Sequence, residues 1–164
     1  MTETDPPLVP LSEHPAFLLA QLGFHVGARF ADALEPLGIS PRHNGMLRLL
    51  QAYDGQTQQQ LGEALHIHRN VMVGLVDDLE KRGLVERRRH PSDRRAYAVH
   101  LLPAGLDLLR RIEPIARGLD DTVTGGLDPA ERATLLKLLG KLTTDAGLTP
   151  GVHPGLTQGT GTEE

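Results

Sequence analysis

NVMVGLVDDLEKRGLVERRRHPSDRRAYAVHLLPAGL, residues 70–106, carries three patterns in quick succession. Met72, Leu75, Val76 and Leu79 form an apolar stripe at helical steps. Gly83 then stands where a helix end takes a left-handed residue. Leu84 to Arg89 reads as a strand. His90-Pro91-Ser92-Asp93 is turn chemistry, with proline at the break and aspartate able to bond backbone amides. Ala96 to Leu102 reads as the returning strand, with Tyr97, Val99 and Leu101 alternating on one face. Lys81, Arg82, Arg87, Arg88, Arg89, Arg94 and Arg95 crowd the segment, opposed from Lys81 onward only by Glu86 and Asp93. A helix beside a basic hairpin fits duplex DNA, the helix in one groove and the hairpin tip in the next.

The flanking sequence supplies the support. Thr57-Gln58-Gln59-Gln60 fits a capping box, and the short helix after it buries Leu61 and Leu65. A new helix starts near His68. Two helices so joined, followed by a hairpin, read as a winged helix-turn-helix. Upstream, Ser40 as N-cap and Pro41 at the first helical position open a helix that buries Met46, Leu47, Leu49 and Leu50 and ends at Asp54-Gly55. Before it, a helix beginning between Ser12 and Pro15 repeats Leu18, Leu22, Val26, Phe30 and Leu34 every four residues, until Gly38 stops it. Downstream, Pro103-Ala104-Gly105 leads into a seam of Leu106, Leu109, Ile112, Ile115, Leu119 and Val123. Pro114 inside that seam predicts a kink or a split. Gly125-Gly126 breaks the helix, and the box Asp128-Pro129-Ala130-Glu131 opens a last one bearing Leu135, Leu136, Leu138, Leu139 and Leu142.

The expected fold is mainly α with a small β-wing. Residues 1–12 form a flexible arm and 13–39 an N-terminal dimerisation helix. Residues 40–103 form the winged helix-turn-helix, 104–146 the C-terminal dimerisation helices, and 147–164 a disordered tail rich in Gly, Pro and Thr. The terminal helices carry wider apolar faces than one winged helix needs, and a second copy would cover them. A symmetric homodimer presents two recognition helices to a near-palindromic site about one helical turn apart.

The totals narrow the function classes. The chain has 164 residues, 39% of them hydrophobic but only 3% aromatic, so Leu, Val, Ile and Ala fill the core. It has no cysteine, which excludes disulfides and thiolate metal sites. The net charge of −4 argues against nucleic acid until its distribution is considered, because the basic run above is local. No apolar run reaches membrane-span length, the acidic amino terminus lacks a signal core, and a cytoplasmic protein is expected. Catalysis finds no support: there is no phosphate loop, nucleophile elbow or H-E-x-x-H motif. No cofactor is expected.

DLEKRGLVER (78–87), PSDRR (91–95) and LLPAG (101–105) together resemble the core signature of MarR-type transcription regulators, and the helix order agrees over roughly residues 15–145. The resemblance implies a homodimeric winged-helix protein on double-stranded operator DNA. Such proteins usually repress, and many release DNA when a small aromatic or phenolic acid binds near the junction of dimer and DNA regions. The Asp-x-Arg wing motif falls on Asp93, which would brace the wing, and Arg95, which would enter the minor groove. A narrow minor groove favours arginine because negative potential concentrates there. Arg94, Arg87 and Arg89 are the further wing candidates. Side chains alternate along a strand, so at least one of Arg87, Arg88 and Arg89 must face away from DNA.

The recognition helix offers His68, Arg69, Asn70, Val73 and Gly74. Arginine suits guanine and asparagine suits adenine, whereas Val73 meets only a thymine methyl and Gly74 reads nothing. That weakness sustains an alternative: a winged-helix protein-interaction module that has lost specific DNA reading. Phe17, Gln21, His25, His43 and Met46 are candidates for an effector pocket by location on the first two helices. His66 and His68 resemble a metal pair, but no carboxylate or cysteine accompanies them, and a loop histidine and an N-cap account for both. No metal site is assigned.

Overall fold

The computed structural model describes residues 8–92 and 96–152. Helix starts coincide with capping chemistry. α1 (Pro15–Leu34) and α2 (Pro41–Ala52) each open on proline, whose missing N–H has no intrahelical partner there anyway. α3 (Gln58–Leu65) opens on the Thr57/Gln60 box and α6 (Pro129–Asp145) on the Asp128/Glu131 box, both reciprocal. α4 (Arg69–Lys81) begins at His68, whose Nδ1 accepts from the Asn70 N–H. α5 spans Pro103–Val123. Between α1 and α2 a 3-10 turn over Glu35–Leu37 ends on Gly38, at φ 68°, a left-handed value that glycine adopts without strain.

The hairpin is two five-residue strands, β2 (Val85–Arg89) and β3 (Tyr97–Leu101), each slightly shorter than the sequence suggests. A strand absent from the sequence reading, β1 (Gln56–Thr57), pairs with β3 and places Gln56 opposite Val99. The antiparallel order is β1-β3-β2. The expected Tyr97–Val99–Leu101 face is corrected at one end. Val99 is fully buried, but Tyr97 is 51% exposed because β3 runs out past the core towards the wing tip. Pro114 does not split α5, which is a single helix through Val123. Leu108, Leu109 and Ile112, on the turns before the proline, are buried and anchor the helix where its hydrogen-bond ladder lacks one donor.

The core joins Leu34 of α1, Met46, Leu47 and Leu50 of α2, Leu61 and Leu65 of α3, Met72, Val76 and Leu79 of α4, Val85 and Val99 of the sheet, and Ile112 of α5. Gly105 sets how closely α5 meets the sheet: a Cβ there would stand 2.4 Å from the Leu84 carbonyl oxygen. The terminal helices are treated differently. Only Leu34 of α1 is buried and no residue of α6 is, while Phe24 is 83% and Leu136 75% exposed. Leu148 N–H bonds back to the Thr143 carbonyl after α6, and Val152 packs against the core, so the described start of the tail is structured. The rest of the tail and most of the N-terminal arm lie outside the described residues.

Candidate nucleic-acid interface

α3 and α4 meet through a tight turn. His66 adopts φ 52°, and the Ile67 N–H bonds to the Gly62 carbonyl at 2.9 Å, sinking Ile67 into the core. A Cβ on Gly62 would lie 3.1 Å from the Ile67 carbonyl oxygen, so the close crossing depends on a small residue there. Met72, Leu75, Val76 and Leu79 seat α4 inward, as the apolar stripe requires. His68, Arg69, Asn70, Val73 and Gly74 all fall on its exposed side. Outside its own helix backbone and chain neighbours, no atom of the described residues lies within 4 Å of where a Cβ on Gly74 would stand. The outer edge of α4 is therefore open to a groove.

Arg87 ties the wing to α4. Arg87 accepts no solvent-facing role: its guanidinium pairs with Asp77 and Glu80 of α4, and its Nε donates to Gln58 of α3 at 3.0 Å. Its backbone N–H also donates to Glu80 Oε1 at 2.9 Å. Expected among the DNA contacts, Arg87 is instead turned inward, because strand alternation directs it at the two carboxylates. Arg88 reaches Glu86 with its Nε at 2.7 Å, and Arg89 is exposed on the outer part of the strand. The hairpin closes with the His90 N–H bonding the Ala96 carbonyl at 3.0 Å. Asp93, Arg94 and Arg95 lie outside the described residues.

A second clamp holds the other flank of α4. The Ser40 N–H donates to His43 Nδ1, which leaves His43 Nε2 to donate to Asp78 at 3.0 Å. Arg82 Nε also pairs with Asp78 at 3.0 Å, and Arg82 Nη1 donates to the Gly38 carbonyl. Burial holds the His43 imidazole below its ordinary range, with Asp78 opposing and Arg82 assisting. Behind the sheet, Asp54 accepts from the Leu101 N–H and pairs with His100 Nδ1, both at 2.8 Å. Burial pushes the Asp54 carboxyl up, but hydrogen bonds from Leu101, His100 and Gly55 outweigh it and hold the group below its usual range. The three carboxylates Asp77, Asp78 and Glu80 of the recognition helix are thus each matched by a cation or an imidazole. An acidic protein thereby presents a helix that does not repel phosphate through its own acids.

The sequence reasoning missed this matching. A signal existed in Asp77 and Glu80, three apart on one helix flank, followed seven residues later by an inward-parity arginine. The effector candidates are not gathered into one site. Met46 is fully buried, His43 is held by Ser40 and Asp78, and Phe17, Gln21 and His25 stand exposed on α1. Among the described residues no cluster of His, Asp or Glu suits a metal ion, and no helix is long and apolar enough to cross a membrane.

An exposed helix edge, a basic hairpin locked to it, and a helix-turn-helix beneath them define a winged-helix DNA-binding protein. The comparisons give the family. The MarR family model matches residues 39–97, which span α2 through the start of β3. A protein named as a candidate transcriptional regulator of the hcr operon in Thauera aromatica is 33% identical over 141 residues, covering 81% of this chain and 85% of that protein. The solved structure of BpsR of Bordetella bronchiseptica, whose DNA binding is regulated by 6-hydroxynicotinic acid, superimposes with a TM-score of 0.68 at 26% identity. The match covers 84% of this chain and 99% of that one. A MarR family protein of Mycobacterium tuberculosis, solved in complex with DNA, shares the fold with a TM-score of 0.70 at 24% identity, over 79% and 97% of the two chains. The chain belongs to the MarR family of DNA-binding transcriptional regulators; it is not an enzyme family.

Proposed function

We propose that the chain works as a homodimeric repressor that sits on a near-palindromic operator and responds to a small aromatic acid. The observation that carries the reading is the double clamp on α4, through Arg87 on one flank and His43–Asp78–Arg82 on the other. It fixes the recognition helix and the wing in one geometry, as simultaneous insertion into adjacent grooves requires. Arg69 and Asn70 are the base-reading groups and Arg89 a phosphate contact. Arg94 and Arg95 act at the wing tip, with Asp93 bracing it. Arg87 becomes a positioning residue.

The exposed apolar faces of α1 and α6 support a second copy as the partner. The control of BpsR by 6-hydroxynicotinic acid supports an aromatic acid as the class of effector. A DNA partner puts the working protein in the cytoplasm. Binding to the DNA upstream of its own coding region, measured across a salt series, tests the reading. Each phosphate contact releases a counterion, so a steep negative log–log slope is expected, and a slope near zero overturns it.

A further inference from the structure

The three arginines of β2 are committed differently. The guanidinium of Arg87 goes to Asp77 and Glu80, and that of Arg88 goes to Glu86. Arg89 is exposed and makes no hydrogen bond or ion pair among the described residues. The strand register puts Tyr97 directly opposite it. Neighbouring rungs of the ladder show how close the two stand. The His90 N–H bonds the Ala96 carbonyl and the Leu102 N–H bonds the Leu84 carbonyl, so hydrogen-bonded pairs fall at the even positions of β2. Arg89 and Tyr97 are therefore a non-hydrogen-bonded pair, the kind whose side chains approach most closely. Tyr97 is 51% exposed, and its hydroxyl has no partner among the described residues. Strand parity gives both residues the face of Arg87, the one that looks at α3 and α4. Two positions further out, they stand roughly 6–7 Å beyond the Arg87 ion pairs. The outer end of the notch between α4 and the wing thus carries a guanidinium and a phenol side by side, both uncommitted among the described residues.

We propose that Tyr97, together with Arg89, cradles the sugar–phosphate strand that runs between the two grooves the protein enters. With α4 in the major groove and the hairpin tip in the minor groove, the strand dividing those grooves has to cross the notch between helix and wing. It meets Arg89 and Tyr97 there. The guanidinium pairs with a phosphate oxygen, and the phenol O–H donates to a phosphate oxygen beside it. The ring of Tyr97 flanks the guanidinium and keeps it laid against the strand. Such a contact carries no sequence information; it sets the register of helix and wing on the duplex. Tyr97 is a positioning residue in this sense. The proposal rests on the DNA-binding reading above and adds to it a residue whose exposure the packing of the core leaves unexplained.

Fluorescence anisotropy of the full chain on two duplexes tests it: the DNA upstream of the protein's own coding region, and the same bases scrambled. Tyr97→Phe keeps the ring and removes only the hydroxyl. It should weaken binding to both duplexes by about 5-fold, and Tyr97→Ala by about 10-fold or more. Arg89→Gln should weaken both by about 10-fold and flatten the log–log salt slope by about 1 for each protomer on the duplex. Tyr97→Phe removes no charge and should leave that slope at the parent value. All three variants should keep the parent melting temperature and sedimentation, since both side chains are exposed. Either duplex should also shield Tyr97 from nitration by tetranitromethane, read by peptide mass. Parent-like affinity of both Tyr97 variants, or nitration of Tyr97 undiminished by DNA, overturns the cradle; a steep salt slope of the parent chain would still leave the DNA-binding reading standing. A loss confined to the upstream duplex would make Tyr97 a base reader and overturn the phosphate assignment. Altered sedimentation of Tyr97→Ala at parent DNA affinity would make it a contact between copies and overturn the proposal as well. A parent slope near zero sinks the function proposed above and the cradle with it.

Discussion

Arg87 sits in the fork between α4 and the wing, and three acceptors converge on its guanidinium. Arg87→Ala would leave Asp77 and Glu80 unmatched beside the DNA-facing edge. Both carboxylates are partly exposed, so solvent screens the loss to about 1–2 kcal/mol of stability. A lowered melting temperature together with weaker DNA binding is the expected outcome, read by thermal melts and gel shifts. Lysine at this position should restore little, since it lacks the planar fork. Arg95→Ala should separate the two effects, weakening operator binding by about 10-fold or more at an unchanged melting temperature. Parent-like DNA binding by Arg95→Ala would show that the wing tip reads nothing. Gly105→Ala is a control on the core. Its Cβ would collide with the Leu84 carbonyl, a backbone atom that cannot swing aside, and marked destabilisation should follow. The inward turn of Arg87 was only half legible in the sequence. Strand alternation requires one arginine of the triplet to face away, but which one depends on Asp77 and Glu80, and only the fold brings those across.

At the scale of elements, α4 is open at its centre. Gly74→Ala meets no neighbouring element among the described residues and should stabilise the helix by about 1 kcal/mol in chemical denaturation. If the helix backbone lies close to the groove floor at Gly74, the same variant should bind operator more weakly. Parent affinity would mean that α4 stands off the bases there. The α2–α4 clamp adds a pH dependence. The folded His43 titrates below its unfolded range, so on acidification the unfolded state takes the proton first. Stability is full above the ordinary histidine range and falls as pH drops through that range toward the depressed folded value. Denaturation at pH 7.5 and 5.5 checks it: the parent should lose more stability on acidification than His43→Gln. The helices were legible because their apolar periods and caps are written locally. β1 was not, because two residues carry no period and exist as a strand only through pairing with β3. Of the kink or split that Pro114 predicts, the split does not occur. A rule about isolated helices was overridden by the buried turn that precedes the proline.

At the scale of the molecule, the chain buries the middle of its sequence and leaves its ends apolar and open. The sequence showed that the terminal helices carry more leucine than one domain can cover, and the exposure of Phe24 and Leu136 puts that surplus on the outside. A charge placed there, Leu136→Glu, should convert a dimer to a monomer in sedimentation and lower operator affinity with it, because one half-site holds weakly alone. Unchanged sedimentation would remove α6 from the interface. The central claim is that two locked helix-and-wing units act together on one duplex. DNase footprinting on the DNA upstream of the protein's own coding region tests it most directly. The account predicts one protected near-palindrome whose half-sites are about one helical turn apart. Uniform, sequence-independent protection at every concentration would contradict it.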